Sequence, residues 1–232
     1  METPAVQVRS LTDFLSPSAS SASWAVRACS SSSRSRSAST SRRACASTAP
    51  PRGTFGASSI SSGARGVTHL FNAMTGLHHR EPGMVGAALA HGQHAELIPD
   101  LLHVHPGAIR AALRCIPGLF CVTDSTAAAG MPDGDYKLGR HTVTKCMGGV
   151  RLADGTLAGS VLSMDQALRN LVHTLGLSLA EASSRVSTFA ADHMGLSDRG
   201  RLQPGAWADV VVLDRELQVK AVCVEGRQVL QK

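Results

Sequence analysis

The chain has 232 residues, of which 43% are hydrophobic, 3% aromatic and 17% charged, and its formal net charge is +6. This length allows one large domain or one and a half small ones, with a largely aliphatic core. Residues 1–65 hold eight arginines and two acids, so they account for the whole excess charge and the rest of the chain is neutral. The charge therefore predicts no nucleic-acid surface on the folded part.

No apolar run approaches the roughly 20 residues that a membrane-spanning helix needs. The six cysteines form no CxxC pair and follow no secretory signal, which indicates reduced thiols in a cytosol-like compartment. We therefore expect a soluble, cytoplasmic chain without a membrane or nucleic-acid partner.

Residues 1–65, called the N-terminal head below, contain 19 serines and no histidine. The run Ser30–Arg43 reads SSSSRSRSASTSRR, a low-complexity composition that cannot bury enough apolar surface to offset the entropy lost on ordering. We predict that the head is disordered. Its composition fits an organellar transit peptide, a solvated RNA-binding arm, or an out-of-frame translation joined to a real domain, and we favour the third.

From residue 66 onward, predicted strands and helices alternate with the spacing of parallel crossover units. In chain order they are strand Gly66–Phe71, helix Met84–His91, strand Ala95–Asp100, helix Gly107–Cys115 opened by Pro106, and strand Leu119–Asp124. This order predicts an α/β fold.

The second half of this region is predicted to contain hairpins, two helices and two further strands. They are hairpins within Tyr136–Leu157 with turns at Gly148–Gly149 and Asp154–Gly155, helix Met164–Leu175, helix Leu179–Met194, and strands Asp209–Asp214 and Val219–Glu225. Ser178 is the expected N-cap of the second helix, with Glu181 completing a capping box.

Three polar residues lie where the predicted strands run out. His69 is inside the first strand, His103 follows the second and Asp124 ends the third. In a parallel barrel the active site lies at the carboxyl ends of the strands, and a His with an Asp there suits a hydrolytic metal site. The alternatives are a structural His and an Asp that caps the next helix, and a single His is not a metal site.

Several motifs in this order resemble the N-acetylglucosamine-6-phosphate deacetylase family. They are THLFNAM at Thr68–Met74, REPG at Arg80–Gly83, CVTD at Cys121–Asp124, TLAGS at Thr156–Ser160, Leu168–Arg169–Asn170, and GRLQPGAWADVVVLD at Gly200–Asp214. THLFNAM followed by REPG is the specific part, and the resemblance covers about residues 66–230.

The resemblance implies a (β/α)8 amidohydrolase barrel with a small β-sandwich, of which this chain carries the last three barrel strands. The implied domains are the head at 1–65, a partial barrel at 66–200 and a partial sandwich at 201–232. The implied reaction converts N-acetylglucosamine 6-phosphate to glucosamine 6-phosphate and acetate. The implied cofactor is a divalent metal, zinc first and iron, manganese or cobalt as alternatives, and the complete enzyme is expected to be a homodimer.

The resemblance also assigns roles to single residues. It makes His69 a metal ligand and Asp124 the catalytic acid and base. The substrate-binding residues that it implies are Asn72, Ala73, Arg80 for the phosphate, His103, Leu157, Ala158 and Gly159.

The family's other metal ligands belong to earlier barrel strands, which the head does not match. We therefore expect a truncated chain that is weakly active or inactive. Two alternatives remain open at this point. One is an amidohydrolase acting on cyclic amides, like dihydroorotase or hydantoinase, and the other is a non-enzymatic fragment.

Overall fold

The computed structural model describes residues 5–6 and 66–231, so the prediction of a disordered head falls almost entirely outside the described residues. The strands are β1 (Ala5–Val6), β2 (His94–Leu97), β3 (Gly118–Cys121), β4 (Gly134–Leu138), β5 (His141–Cys146), β6 (Gly149–Arg151), β7 (Val210–Leu213), β8 (Val219–Val224) and β9 (Arg227–Gln231). The helices are α1 (Gly83–His91), α2 (Pro106–Cys115), α3 (Met164–Arg169), a π-helix (Asn170–Thr174), α4 (Leu179–Val186) and α5 (Thr188–His193).

Four chain segments lie side by side in parallel. β2 pairs with β3 over all four of its residues. A bridge between Val67 and Ala95 adds a segment on one side, and a bridge between Ser125 and Ser160 adds one on the other. The resemblance implied three barrel strands. Within the described residues, the structure has two paired parallel strands, β2 and β3, and bridged segments at Val67 and at Ser160.

The main core lies between these parallel segments and the helices. One face of β2 and β3 contributes Ala95, Leu97, Leu119 and Cys121 to it, in keeping with the period of two along a strand. The helices contribute further fully buried side chains, namely Ile109, Ala112, Leu168, Leu171, Ala182 and Val186. Two of the candidate site residues, His103 and Asp124, lie in the loops that follow β2 and β3, beyond this packed core.

The strands are shorter than predicted, which changes the place of the polar residues. The first predicted strand is reduced to the bridge at Val67, and His69 lies beyond it with φ 32°. β3 ends at Cys121, so Asp124, with φ 48°, follows the strand instead of ending it. The physical reason is that a residue in the left-handed region cannot continue a strand.

The helices α1 and α2 were predicted to within one residue. The prediction of one helix over Leu179–Met194 was wrong, because the helix breaks at Ser187, which has φ −144° and ψ −79°. The capping box was half right. The Ser178 side chain accepts from the Glu181 N–H at 3.2 Å, but the Glu181 carboxylate binds Arg185.

Two antiparallel sheets complete the structure. β4, β5 and β6 form one, with a small core of Ala128, Val143 and Val150. The other has the order β1-β7-β8-β9, and its last strand, β9, was not predicted. In the part of the chain that the structure describes, no helix has the length and apolar character required to cross a membrane.

Candidate active site

Loops that follow the parallel segments carry a concentration of strained backbone. Five non-glycine residues there have positive φ: His69 at 32°, Phe71 at 79°, Ala73 at 54°, Leu101 at 66° and Asp124 at 48°. Residues other than glycine rarely adopt this backbone region. They keep such a conformation only where the surrounding structure holds them in it, often at functional sites. Three of the five are residues to which the sequence assigned a role.

The THLFNAM segment folds into a tight turn stabilised by its own polar groups. The His69 Nδ1 lies 3.1 Å from the Asn72 carbonyl oxygen. The Asn72 amide donates to the carbonyls of His69 and Leu70, both at 3.3 Å. Asn72, predicted to contact substrate, therefore uses its amide hydrogens to hold the turn that carries His69. Ala73 is exposed in the same turn.

Arg80 lies in the loop between this turn and α1, and it is exposed. The loop is anchored at its far end, where the Met84 N–H donates to Thr75 Oγ1 at 2.8 Å. Gly83 has φ 62°, and a Cβ there would lie 2.7 Å from the Gly76 carbonyl oxygen. A glycine is required at this point for the loop to close onto α1.

The loop after β2 contains a buried acid–base pair. His103 Nδ1 lies 2.6 Å from Asp100 Oδ2, and the two side chains are only 6% and 8% exposed. Burial raises the pKa of Asp100, but hydrogen bonds from the His103 side chain and from the His103 and Leu102 N–H groups outweigh it. The net result is a pKa below the usual range. Asp100 is therefore a carboxylate near neutral pH.

Asp124 is exposed at the end of its segment, and its backbone is bonded to the neighbouring one. Its carbonyl accepts from the Ser160 N–H at 2.8 Å, and the Ser160 hydroxyl donates to the Thr123 carbonyl. Gly159, with φ 75°, allows this approach, since a Cβ there would lie 2.6 Å from Thr126 Cγ2. The predicted TLAGS motif thus lies directly against Asp124.

The residues Leu157 and Ala158 are half-buried beside β6. Leu157 bridges Arg151, and the Ala158 N–H donates to the Val150 carbonyl at 2.9 Å. A pocket of about 320 Å³ opens nearby, lined by Asp100, Leu101, Gly148, Val161, Leu162, Ser163, Gln166 and Asn170. Asp100 and Leu101 place this pocket beside the loop that carries His103, one of the predicted site residues.

No family model matches the chain. Curated relatives do match it. N-acetylgalactosamine-6-phosphate deacetylase of Escherichia coli O157:H7 is 46% identical over 169 residues, which cover 72% of this chain and 45% of that protein. A protein of Escherichia coli K12, provisionally given the same activity, is 46% identical over 162 residues, which cover 68% of this chain and 97% of its own length. N-acetylglucosamine-6-phosphate deacetylase of Lysinibacillus sphaericus is 40% identical over 171 residues, or 72% of this chain and 44% of that one.

The chain belongs to the N-acetylglucosamine-6-phosphate deacetylase family. The solved N-acetylglucosamine-6-phosphate deacetylase of Thermotoga maritima has the same fold over the described region, with a TM-score of 0.70 and 37% identity over 75% of this chain and 48% of the other. An enamidase of the amidohydrolase superfamily shares the fold more distantly, at TM-score 0.50 and 16% identity. The chain spans about half the length of most of the curated relatives named above.

Sequence reasoning missed two residues that contact the candidate site or the loop that carries it. Asp100 precedes His103 by three residues, a spacing that lets one carboxylate reach both the backbone and the ring. Asn170 was noted within Leu168–Arg169–Asn170 but given no role, and its amide donates to the Pro99 carbonyl at 2.8 Å. A contact between residues 71 positions apart leaves no local signal in the sequence.

Proposed function

We propose that the described region is the carboxyl-terminal part of a (β/α)8 barrel that hydrolyses the acetamide of N-acetylglucosamine 6-phosphate. The products are glucosamine 6-phosphate and acetate. The observation that carries the proposal is Asp124, an exposed carboxylate held in left-handed backbone by Ser160, inside a region that matches deacetylases at 40–46% identity.

Asp124 is proposed as the proton-transfer residue of this reaction. Amide hydrolysis needs a base for the attacking water and an acid for the departing amine, and one carboxylate can serve in turn as both. Its exposure leaves it accessible to water and substrate, and the anchoring of its carbonyl limits where the carboxylate can go. Loss of such a group typically removes about 10²–10⁴-fold of rate.

The remaining residues are proposed to bind the substrate. Arg80, exposed on its loop, suits a phosphate group because a planar guanidinium can donate two parallel hydrogen bonds. His103 is proposed to contact the sugar, and Asn72 and Ala73 to shape the turn beside it. The proposed acetamide end lies against Leu157, Ala158 and Gly159, next to Asp124.

The described residues do not by themselves make a metal site. Among them, no group of three or more His, Cys, Asp or Glu side chains could hold a metal ion. His69 has an arrangement that suits one ligand, because a Nδ1–H donated to the Asn72 carbonyl leaves Nε2 free. The divalent metal, zinc in the first instance, and the homodimer therefore stay proposals for the complete family enzyme.

A second substrate is favoured by the relatives at 46% identity, which are named for N-acetylgalactosamine 6-phosphate. The two substrates differ only in the configuration at one ring hydroxyl. The curated relatives named above are named for amino sugar phosphates and give no support to the cyclic-amide alternative.

The test is product release by the purified full chain with added zinc, on both amino sugar phosphates and on hydantoin. We expect slow release of free amine from at least one sugar phosphate, reduced to the buffer level in Asp124→Asn. Asp133→Asn, an exposed change outside the proposed site, is the matched control. Equal rates above the buffer level for the wild-type and Asp124→Asn chains would refute the assignment of Asp124.

A further inference from the structure

The Asp100–His103 pair fixes which ring nitrogen of His103 carries a proton. Asp100 Oδ1 accepts from the Leu102 N–H at 3.0 Å and the His103 N–H at 2.9 Å, and Oδ2 lies 2.6 Å from His103 Nδ1. A carboxylate can only accept hydrogen bonds. Because the pKa of Asp100 is lowered, His103 Nδ1 must be the donor.

The other ring nitrogen of His103 is then free to act on a ligand. In a neutral imidazole with hydrogen on Nδ1, Nε2 is a hydrogen-bond acceptor. The ring hydrogen bond of His103 within the described part of the chain is the one from Nδ1, which leaves Nε2 without a protein partner. An acceptor at this place suits a hydroxyl group, which can donate.

The loop that carries the pair is itself held from the helical side. Asn170, the first residue of the π-helix, donates to the Pro99 carbonyl at 2.8 Å and accepts from Gln166 Nε2 at 2.8 Å. Leu101, between Asp100 and His103, has φ 66° and packs against the main core. The loop backbone thus holds the carboxylate, and Asn170 holds the loop.

We propose that Asp100 is a positioning residue that holds His103 with its hydrogen on Nδ1, so that Nε2 accepts a hydrogen bond from a hydroxyl of the bound sugar phosphate. The hydroxyl part rests on the proposed function, whereas the tautomer does not.

Asp100→Asn is an informative change because the backbone determines how the new amide lies. The Leu102 and His103 N–H groups require an acceptor, so the Asn oxygen takes the place of Oδ1 and the amide NH₂ faces His103 Nδ1. A donor opposite Nδ1 forces that nitrogen to accept, which moves the hydrogen to Nε2 and removes the acceptor from the ligand side. The ring stays in place while its hydrogen-bonding sense reverses.

The experiment is ¹⁵N–¹H correlation spectroscopy of histidine-labelled full chain, read on the alkaline plateau of a pH titration, together with N-acetylglucosamine 6-phosphate titrations. We expect the Nδ1–H tautomer for His103 in the wild type and Nε2–H in Asp100→Asn, with affinity lower by about 10- to 100-fold, the range seen for groups that orient a ligating His. Asp214→Asn is the matched control, because Asp214 accepts from two backbone N–H groups without facing a His.

An Nε2–H tautomer in the wild type would overturn the proposal even if the variant failed to fold, and so would a tautomer unchanged by the substitution. A switched tautomer with unchanged affinity would overturn the role of Nε2 in binding. A wild-type chain that shows Nδ1–H but does not bind N-acetylglucosamine 6-phosphate would refute the proposed function and still support the pairing.

Discussion

Gly159 shows how a single residue without a side chain can position a neighbouring segment, here the one that carries Asp124, the proposed proton-transfer residue. Its backbone has φ 75°, and the space for a Cβ is taken by Thr126 Cγ2 at 2.6 Å and the Asp124 carbonyl oxygen at 3.0 Å. Gly205 has a similar φ of 86° but nothing within 4 Å of its Cβ position. A Cβ at Gly205 would therefore introduce backbone strain alone, whereas a Cβ at Gly159 would introduce both strain and a steric clash.

We predict that Gly205→Ala lowers the free energy of unfolding by about 1 kcal/mol, the strain of a left-handed alanine. Gly159→Ala is expected to cost about 2–4 kcal/mol, because overpacking adds to the strain. It should also lower product release, since the segment holding Asp124 must move. Urea unfolding of both variants is the measurement. Equal decreases in the free energy of unfolding would show that the structure around Gly159 relaxes to accommodate the added Cβ.

At this scale the sequence pointed to residues with unusual backbone conformations but not to most of the contacts that hold them. His69, Asp124 and Gly159 were named from short motifs, and each lies in left-handed backbone. The bond from Asp100 to His103 was within reach of the sequence, because it spans three residues. The bonds of Ser160 to the Asp124 segment were not, since they join parts of the chain about 35 residues apart.

Among the elements, α4 is tied to the sheet by one buried cation. Arg185, whose side chain is 7% exposed, donates to the Leu119 carbonyl at 2.9 Å and to Glu181 at 2.9 Å. Its partner Glu181 is 46% exposed. The hydrogen bond from Arg185 to the Leu119 carbonyl of β3 is therefore expected to contribute more to stability than the ion pair with Glu181.

Arg185→Ala should lower the free energy of unfolding by about 2–4 kcal/mol, because it leaves the buried Leu119 carbonyl without this donor and removes packing. Glu181→Gln should cost less than about 1 kcal/mol, as expected for an exposed member of an ion pair. Denaturant titrations of the two variants give the comparison. A loss from Glu181→Gln that matched the arginine change would mean that charge pairing, not the carbonyl contact, dominates.

The helix α5 meets the sheet through two histidines. The rings of His94 and His193 have centroids 5.0 Å apart, and His193 also lies 5.2 Å from Phe120. Burial lowers the pKa of His193, the nearby His94 adds to this, and Glu96 opposes it. A folded-state pKa below the unfolded value means that stability is present above about pH 6.5 and is lost as pH falls toward the folded pKa.

We therefore predict that the thermal unfolding midpoint decreases when the pH is lowered from 7.5 to 5.5. The decrease should be smaller in His193→Gln. His141→Gln, on an exposed hairpin, is the control and should leave the pH dependence unchanged. Differential scanning calorimetry at both pH values makes the test. A pH dependence that persisted in His193→Gln would place its origin in other groups.

Periodicity predicted the elements that local sequence determines and missed those that tertiary contacts determine. Pro106 opens α2, as predicted, and the structure adds His105 as the N-cap, whose side chain accepts from the Gly107 N–H. The break at Ser187 has no such signal. It is stabilised by a bond from the Ser187 hydroxyl to the Gly200 carbonyl at 3.2 Å, with Gly200 packed against α5. Apolar spacing likewise cannot distinguish the π-helix from an α-helix.

For the whole molecule, no described residue pairs with the parallel segments beyond Val67 on one side or beyond Ser160 on the other. The structure aligns with 48% of the Thermotoga maritima enzyme, and the described residues offer His69 but no complete ligand set. The N-terminal head contains two acids, Glu2 and Asp13, two cysteines, Cys29 and Cys45, and no histidine. The donors available to this chain for a metal are therefore few.

We predict that the purified full chain does not retain stoichiometric zinc after dialysis against a chelator and return to equimolar zinc, because catalytic sites of this kind use three protein ligands. His69→Ala should then change the zinc content little. Elemental analysis combined with size-exclusion chromatography provides the readout. Stoichiometric zinc that is lost in His69→Ala would contradict the prediction. In that case, the elution position of the zinc-bound protein would show whether a second copy of the chain supplies the missing ligands. The variants Cys29→Ser and Cys45→Ser would test whether the N-terminal head supplies them.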